Sequence, residues 1–179
     1  MEFQKAVETR RSIRKYDSRK EVTEEQLKEM LGAAVQAPSW KNSQTARYYC
    51  AVSQEMREKV RTECLPAFNA KNAEGAGALI ITAFVKNRSG YERSGEPTNE
   101  LGNGWGCYDL GLANENLLLK AADMGLGTLV MGIRDEEKLR KILGVPEDQI
   151  LVSVIAVGYT EDAPEMPRRK TPEDVAVFL

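Results

Sequence analysis

YDLGLANENLLLKAADMG, residues 108–125, carries apolar residues at 110, 113, 117, 121 and 124 and a second set at 112, 119 and 122. The first set recurs every three or four residues, the spacing of one helix face, and the second widens the apolar stripe around most of the circumference. A helix so apolar belongs at the centre of a large core or across a subunit interface. GTLVMGI, from Gly127, follows it and reads as a strand by its β-branched content.

Other elements extend outward from this pair. Leu79 to Val85 is apolar on both faces, as in a fully buried strand, and RYYCAV, residues 47–52, is a strand with Ser53 placed to cap a charged helix through about Glu63. Near the N-terminus, Glu2 to Arg10 has the pattern of a short helix. Thr23 and Gln26 form a capping box before a helix whose apolar positions are Leu27, Met30, Leu31, Ala34 and Val35, with Pro38 as its stop. Downstream, Asp135 caps a helix ending at Gly144, and ILVSVIAVGY from Ile150 is a fourth strand. Residues 65–75 read as mixed helix and loop. The final stretch, TEDAPEMPRRKTPEDVAVFL, has prolines at 164, 167 and 172 that forbid a continuous helix, yet it finishes on apolar residues. That predicts an extended arm, residues 161–179, of a single domain spanning 1–179, and a dimer offers such an arm more packing surface than one small domain does.

The chain has 179 residues, 42% hydrophobic and 29% charged, with a net charge of −2. This is the profile of a soluble globular domain, without the basic excess of a nucleic-acid binder. No stretch approaches the roughly 20 apolar residues of a membrane span, and the N-terminus lacks a secretory h-region. Cys50, Cys64 and Cys107 are an odd number with wide spacing, which points to reduced thiols and the cytoplasm in place of a disulfide framework or a C-x-x-C metal knuckle. Histidine is absent, which removes Ser-His-Asp and Cys-His catalysis and the usual His-based metal sites.

Charge is concentrated at one place. Six of the eleven residues from Arg10 to Lys20 are cationic, and TRRSIRKY, residues 9–16, sets Ser12 among guanidinium forks. The cluster is either a solvated helix end or a site for a phosphate group, and Ser12 favours the second. Arg168, Arg169 and Lys170 form another cluster in the arm, either solvated or converging with the first on one anion. QAPSWKNSQ, residues 36–44, reads as a polar loop. GNGWG at 102–106 and GLG at 125–127 do not complete G-x-G-x-x-G, and GLGT follows a helix instead of opening one, so a classical dinucleotide site is not predicted. Trp105 and Tyr108, read as standing before the long helix, are either core or the wall of a flat ligand's pocket.

TRRSIRKY, then APSxxNxQ from Ala37, then YDLGLANENLLLKAADMGLGT, then IAVGYTEDAPEMPRRKTPEDV occur in an order that resembles the FMN-dependent nitroreductase family over essentially the whole chain. The resemblance implies an α+β fold with a mixed central sheet, built as an intertwined homodimer with two FMN sites at the interface and the C-terminal arm exchanged. It implies that Arg10, Ser12, Arg168 and Lys170 hold the FMN phosphate, with Arg11 in the same motif and Arg14 toward the pyrimidine. Pro38, Ser39, Trp40, Asn42 and Gln44 match the loop that a second subunit lays against the cofactor. Val130, Met131 and Gly132 match the segment passing the isoalloxazine ring. The chain departs from the family pattern at Gln44-Thr45-Ala46, where Gln-Pro-Trp is common, and at Gly158-Tyr159-Thr160, where Gly-Tyr-Pro is.

The implied activity is transfer of a hydride from NADH or NADPH through flavin N5 to a nitroaromatic, quinone or similar small electron acceptor, in ping-pong fashion and without a catalytic side chain. Two alternatives keep the cofactor: a specialised redox task such as ene-reduction, dehalogenation or dehydrogenation, and a non-catalytic FMN store or sensor.

Overall fold

Thr23 opens the first long helix as its sequence predicts. Its hydroxyl accepts the Gln26 N–H at 3.2 Å, and the Gln26 side chain accepts the Thr23 N–H at 3.0 Å, so two orphan donors of the helix start are satisfied reciprocally. The structure, a computed structural model, describes residues 2–179. In chain order its elements are α1 (Phe3–Thr9), α2 (Glu24–Ala34), a 3-10 turn (Trp40–Asn42), β1 (Ala46–Ala51), α3 (Gln54–Cys64), α4 (Ala67–Asn72), β2 (Ala78–Val85), α5 (Gly104–Asp123), β3 (Gly127–Met131), α6 (Glu136–Leu143), β4 (Gln149–Gly158) and α7 (Pro172–Val175).

Ser53 and Asp135 cap α3 and α6 as read from the sequence, and Gly144 ends α6 in the left-handed conformation that glycine adopts without a Cβ penalty. Three boundaries differ. The α2 helix stops at Ala34, four residues before Pro38, because Val35 to Ala37 close a tight turn through 3.0–3.2 Å backbone bonds. Within residues 65–75, α4 is a defined helix. The α5 helix begins at Gly104, so Trp105 and Tyr108 lie within its first turns and not ahead of it. Asn103, just before it, exchanges side-chain and backbone bonds with Asn87 at 2.9 and 2.7 Å and fixes that start.

Among the described residues the strands form one sheet in the order β1-β2-β4-β3, each neighbouring pair antiparallel. The expected mixed sheet is therefore corrected to an antiparallel one. The parallel element is a lone bridge between Ser12 and Thr128 on the outer edge of β3. The two central strands are buried on both faces, and fully enclosed side chains such as Ile80, Ile81, Val154 and Ile155 each contribute roughly 1.5–3 kcal/mol by leaving water.

Two cores sandwich the sheet. On one face α3 and α6 close over Val60, Leu79, Ile81, Leu139 and Leu151; on the other α2 and α5 close over Leu27, Met30, Ile80, Leu117 and Ile155. The first apolar set of α5 is spent here: Leu110, Ala113, Leu117 and Ala121 are buried. The second set, Leu112, Leu119 and Ala122, stays half-buried, and Tyr108 is exposed. Residues 161–179 extend away, exposed nearly throughout, with Val177 and Phe178 more than four-fifths accessible. No helix among the described residues is long and apolar enough to cross a membrane.

Candidate functional site

Residues 10–16 leave α1 in extended form and run along the open edge of β3. Ile13 N–H donates to the Thr128 carbonyl at 2.9 Å, and further on Asp17 N–H donates to Tyr159 at 2.9 Å. Extended chain alternates its side chains, and the sequence uses that period. Ile13 turns into the core and Arg11 is half-buried, whereas Ser12 and Arg14 face outward together. Arg10, at the end of α1, carries its guanidinium 3.7 Å from Glu115 of α5. Arg14 donates to the Ser12 carbonyl at 3.1 Å, which holds the guanidinium beside that serine.

The edge of β3 adds main-chain donors. The Thr128 carbonyl points outward to Ile13, so by the two-residue repeat the N–H and C=O of Val130 point outward too, where no strand among the described residues pairs with them. The Val130 side chain is 46% exposed, Gly132 is exposed, and Met131 between them is buried. Beyond them, buried Asn69 of α4 donates to the Ile133 carbonyl at 2.9 Å and holds the end of this edge. Residues 65–75 carry no periodic pattern, so sequence reasoning missed Asn69.

The second predicted group lies elsewhere. Pro38, Ser39, Trp40, Asn42 and Gln44 form a loop between α2 and β1, on the opposite edge of the sheet. Three strand spacings, about 14 Å, separate the two edges. Lys41, Asn42 and Gln44 adopt positive φ of 46°, 54° and 47°, a conformation that side-chain-bearing residues hold only when their surroundings impose it. The impositions are visible: Ser39 Oγ accepts the Gln44 N–H at 3.1 Å, and Asp109 of α5 accepts the Trp40 N–H at 3.0 Å. The Trp40 ring packs 4.7 Å from Trp105, whose edge meets Tyr108 at 5.7 Å, so the two α5 aromatics form one wall with the loop. Gly90, at φ +80°, backs this wall; a Cβ there would press on the Trp105 ring.

Beside the loop, Ala34, Val35, Ala37, Pro38 and Ala113 line a cavity of about 220 Å³ with Tyr48 at its margin. The Tyr48 hydroxyl is buried without a partner, and burial pushes its pKa up to about 12.

Arg168 and Lys170 remain exposed on the arm, and the pocket beside Arg10 and Arg11 is lined instead by Thr160 and arm residues 162–164. One protomer thus brings Arg10, Arg11, Ser12, Arg14, Val130, Met131 and Gly132 to one edge. It places the 38–44 loop at the other and leaves the arm cations apart from both.

The residues at the β3 edge fit a flavin nucleotide. Arg11 Nε is buried with no partner, cations and a hydroxyl suit a phosphate, and an unpaired strand edge suits the hydrogen-bonding rim of a flat heterocycle.

Comparison with known proteins agrees. Residues 7–159 match the model of the nitroreductase family. A candidate NADH dehydrogenase/NAD(P)H nitroreductase of Archaeoglobus fulgidus is 31% identical over 163 residues, which is 88% of this chain and 85% of that relative. Among solved structures, a nitroreductase-like protein of Exiguobacterium sibiricum in complex with FMN superposes with a TM-score of 0.81 at 22% identity, covering 100% of this chain and 98% of that one. An enone reductase of gut-bacterial fatty acid saturation superposes at 0.86 with 20% identity, covering 99% and 98%. By the match over residues 7–159 and by the Archaeoglobus fulgidus relative, the chain belongs to the nitroreductase family of flavin-dependent NAD(P)H oxidoreductases.

Proposed function

We propose that this protein works as a homodimer in which each FMN lies along the β3 edge of one protomer and beneath the 38–44 loop of the other. The observation that carries the reading is the separation of the two predicted half-sites. They occupy opposite edges of one sheet, with α5 between them carrying a half-buried apolar stripe at Leu112, Leu119 and Ala122. A second copy packed on that stripe supplies the missing half, and the exposed arm 161–179 gains a surface for its apolar end.

Arg10 and Ser12 hold the phosphate together with Arg168 and Lys170, once the arm is ordered against the second copy, and Arg11 adds its orphaned Nε. Arg14 sets a fixed cation toward the pyrimidine side, where negative charge develops on reduction. The outward main-chain groups of Val130 and its neighbours orient the ring, and Pro38, Ser39, Trp40, Asn42 and Gln44 cover it and exclude water. FMN, when bound, supplies the hydride chemistry between NADH or NADPH and a nitroaromatic, quinone or related acceptor, the two taking turns in one pocket.

An absorbance spectrum from 300 to 600 nm, taken before and after anaerobic NADH or NADPH, tests the reading. Flavin bands that bleach, and recover on adding a quinone, nitroarene or enone, support it. Bands that persist with both nucleotides favour an FMN store, and no flavin after reconstitution overturns it.

A further inference from the structure

We infer that Asp109 is a positioning residue that locks the 38–44 loop and the 86–103 segment into one body, and so sets the acceptor side of the pocket. The inference rests on the reading of the 38–44 loop as part of that pocket. Asp109 is 5% exposed, the one buried carboxylate among the described residues. Its Oδ2 accepts two bonds, from the Trp40 N–H at 3.0 Å and from the Ser89 hydroxyl at 2.6 Å. These donors belong to segments 69 and 20 residues away in the chain.

The carboxylate also orders the protons around it. Ser89 has one hydroxyl proton, and it donates that proton to Asp109 Oδ2. Ser89 Oγ must then accept from Ser43 Oγ at 2.8 Å and from Thr45 Oγ1 at 3.3 Å. Asp109 thus fixes the direction of a buried chain that ties both ends of the loop to the 86–103 segment. The left-handed residues 41, 42 and 44 lie between those ties, in conformations that relax once the surroundings stop imposing them.

Holoenzyme variants Asp109→Ala, Asp109→Asn and Ser89→Ala test this with two readouts. Iodide quenching of tryptophan fluorescence reports release of Trp40 from Trp105 and needs no turnover. Steady-state kinetics with menadione separate KM from kcat. Asp109→Ala is expected to raise quenching and to raise KM roughly tenfold, the kinetic equivalent of one lost bond to a charged acceptor, with smaller losses in kcat and FMN content because the released loop also covers the ring. Asp109→Asn keeps one acceptor oxygen and falls between. Ser89→Ala leaves Trp40 tied, so it raises KM while quenching stays near wild type, and it keeps the test open if Asp109→Ala does not fold. Wild-type KM in all folded variants, with only a lower melting temperature, overturns the inference. Absence of flavin reduction in the wild type would instead defeat the flavin reading, and quenching would still decide whether Asp109 anchors the loop.

Discussion

Arg10 and Arg11 on one side, and Arg168 and Lys170 on the other, have the same side-chain chemistry and opposite surroundings. The first pair is tied down: the chain around it bonds to Thr128 and Tyr159, Arg10 sits beside Glu115, and Arg11 Nη1 donates to a backbone carbonyl at 2.7 Å. The second pair rides on an exposed part of the arm beside a short turn, where Thr171 and Asp174 cap α7. Basic residues become a preorganised anion site when the backbone beneath them is fixed by other elements. On the proposed reading, the fixed pair is what one protomer builds by itself and the arm pair is what a second copy would order.

The comparison can be broken most severely by removing the arm. Truncation after Ala163 is expected to abolish the dimer by sedimentation and to weaken FMN binding by about 100-fold, the loss of two charge-assisted phosphate contacts. Retained dimer and flavin would mean the arm cations play no part. Next in size, Arg10→Ala and Lys170→Ala should each weaken FMN binding by roughly tenfold or more. In a double-mutant cycle read by flavin fluorescence titration, they should couple by at least about 0.5 kcal/mol if both clusters meet one phosphate. Additive effects would separate them.

A third variant asks what the arm packs on. Phe178 is 88% exposed, so Phe178→Ala leaves an isolated protomer unchanged, but it should raise the dimer dissociation constant by roughly tenfold if the ring is buried in a second copy. The smallest expected effect concerns the anchored cluster alone. Hydrogen bonds from Arg19 lower the pKa of Asp17 to about 2, below the usual carboxylate range near 4. A depressed folded-state pKa contributes stability above the unfolded value, and that contribution is lost as pH falls through the folded one. Wild type should therefore lose slightly more melting temperature than Asp17→Asn between pH 4 and pH 2. The Arg19 guanidinium stands largely in solvent, so the difference will be small.

Much of the fold was legible because the signals are local. A capping box at Thr23 and Gln26, caps at Ser53 and Asp135 and a left-handed Gly144 each act within a few residues of the element they define. The start of α5 was not, since GNGWG reads as a loop until Asn103 meets Asn87 and a Cβ at Gly106 is seen to collide with the Phe84 ring. At the candidate site the basic motif and the polar loop were visible as composition. Asn69 and Asp109 were invisible, because a lone polar residue inside a helix gains its meaning from partners distant in sequence.

The sequence by itself determined the four strands and the helices that carry caps or an apolar stripe, the two basic clusters, the apolar excess on residues 108–125 and the absence of imidazole chemistry. These follow from residue identity and from the 2.0 and 3.6 periods of the backbone. Only the tertiary structure decided the antiparallel strand order, the placing of the basic motif and the 38–44 loop on opposite sheet edges and the convergence of Trp40 and Ser89 on Asp109. Strand order and long-range hydrogen bonds depend on how buried faces pack against one another, which no short window of sequence contains.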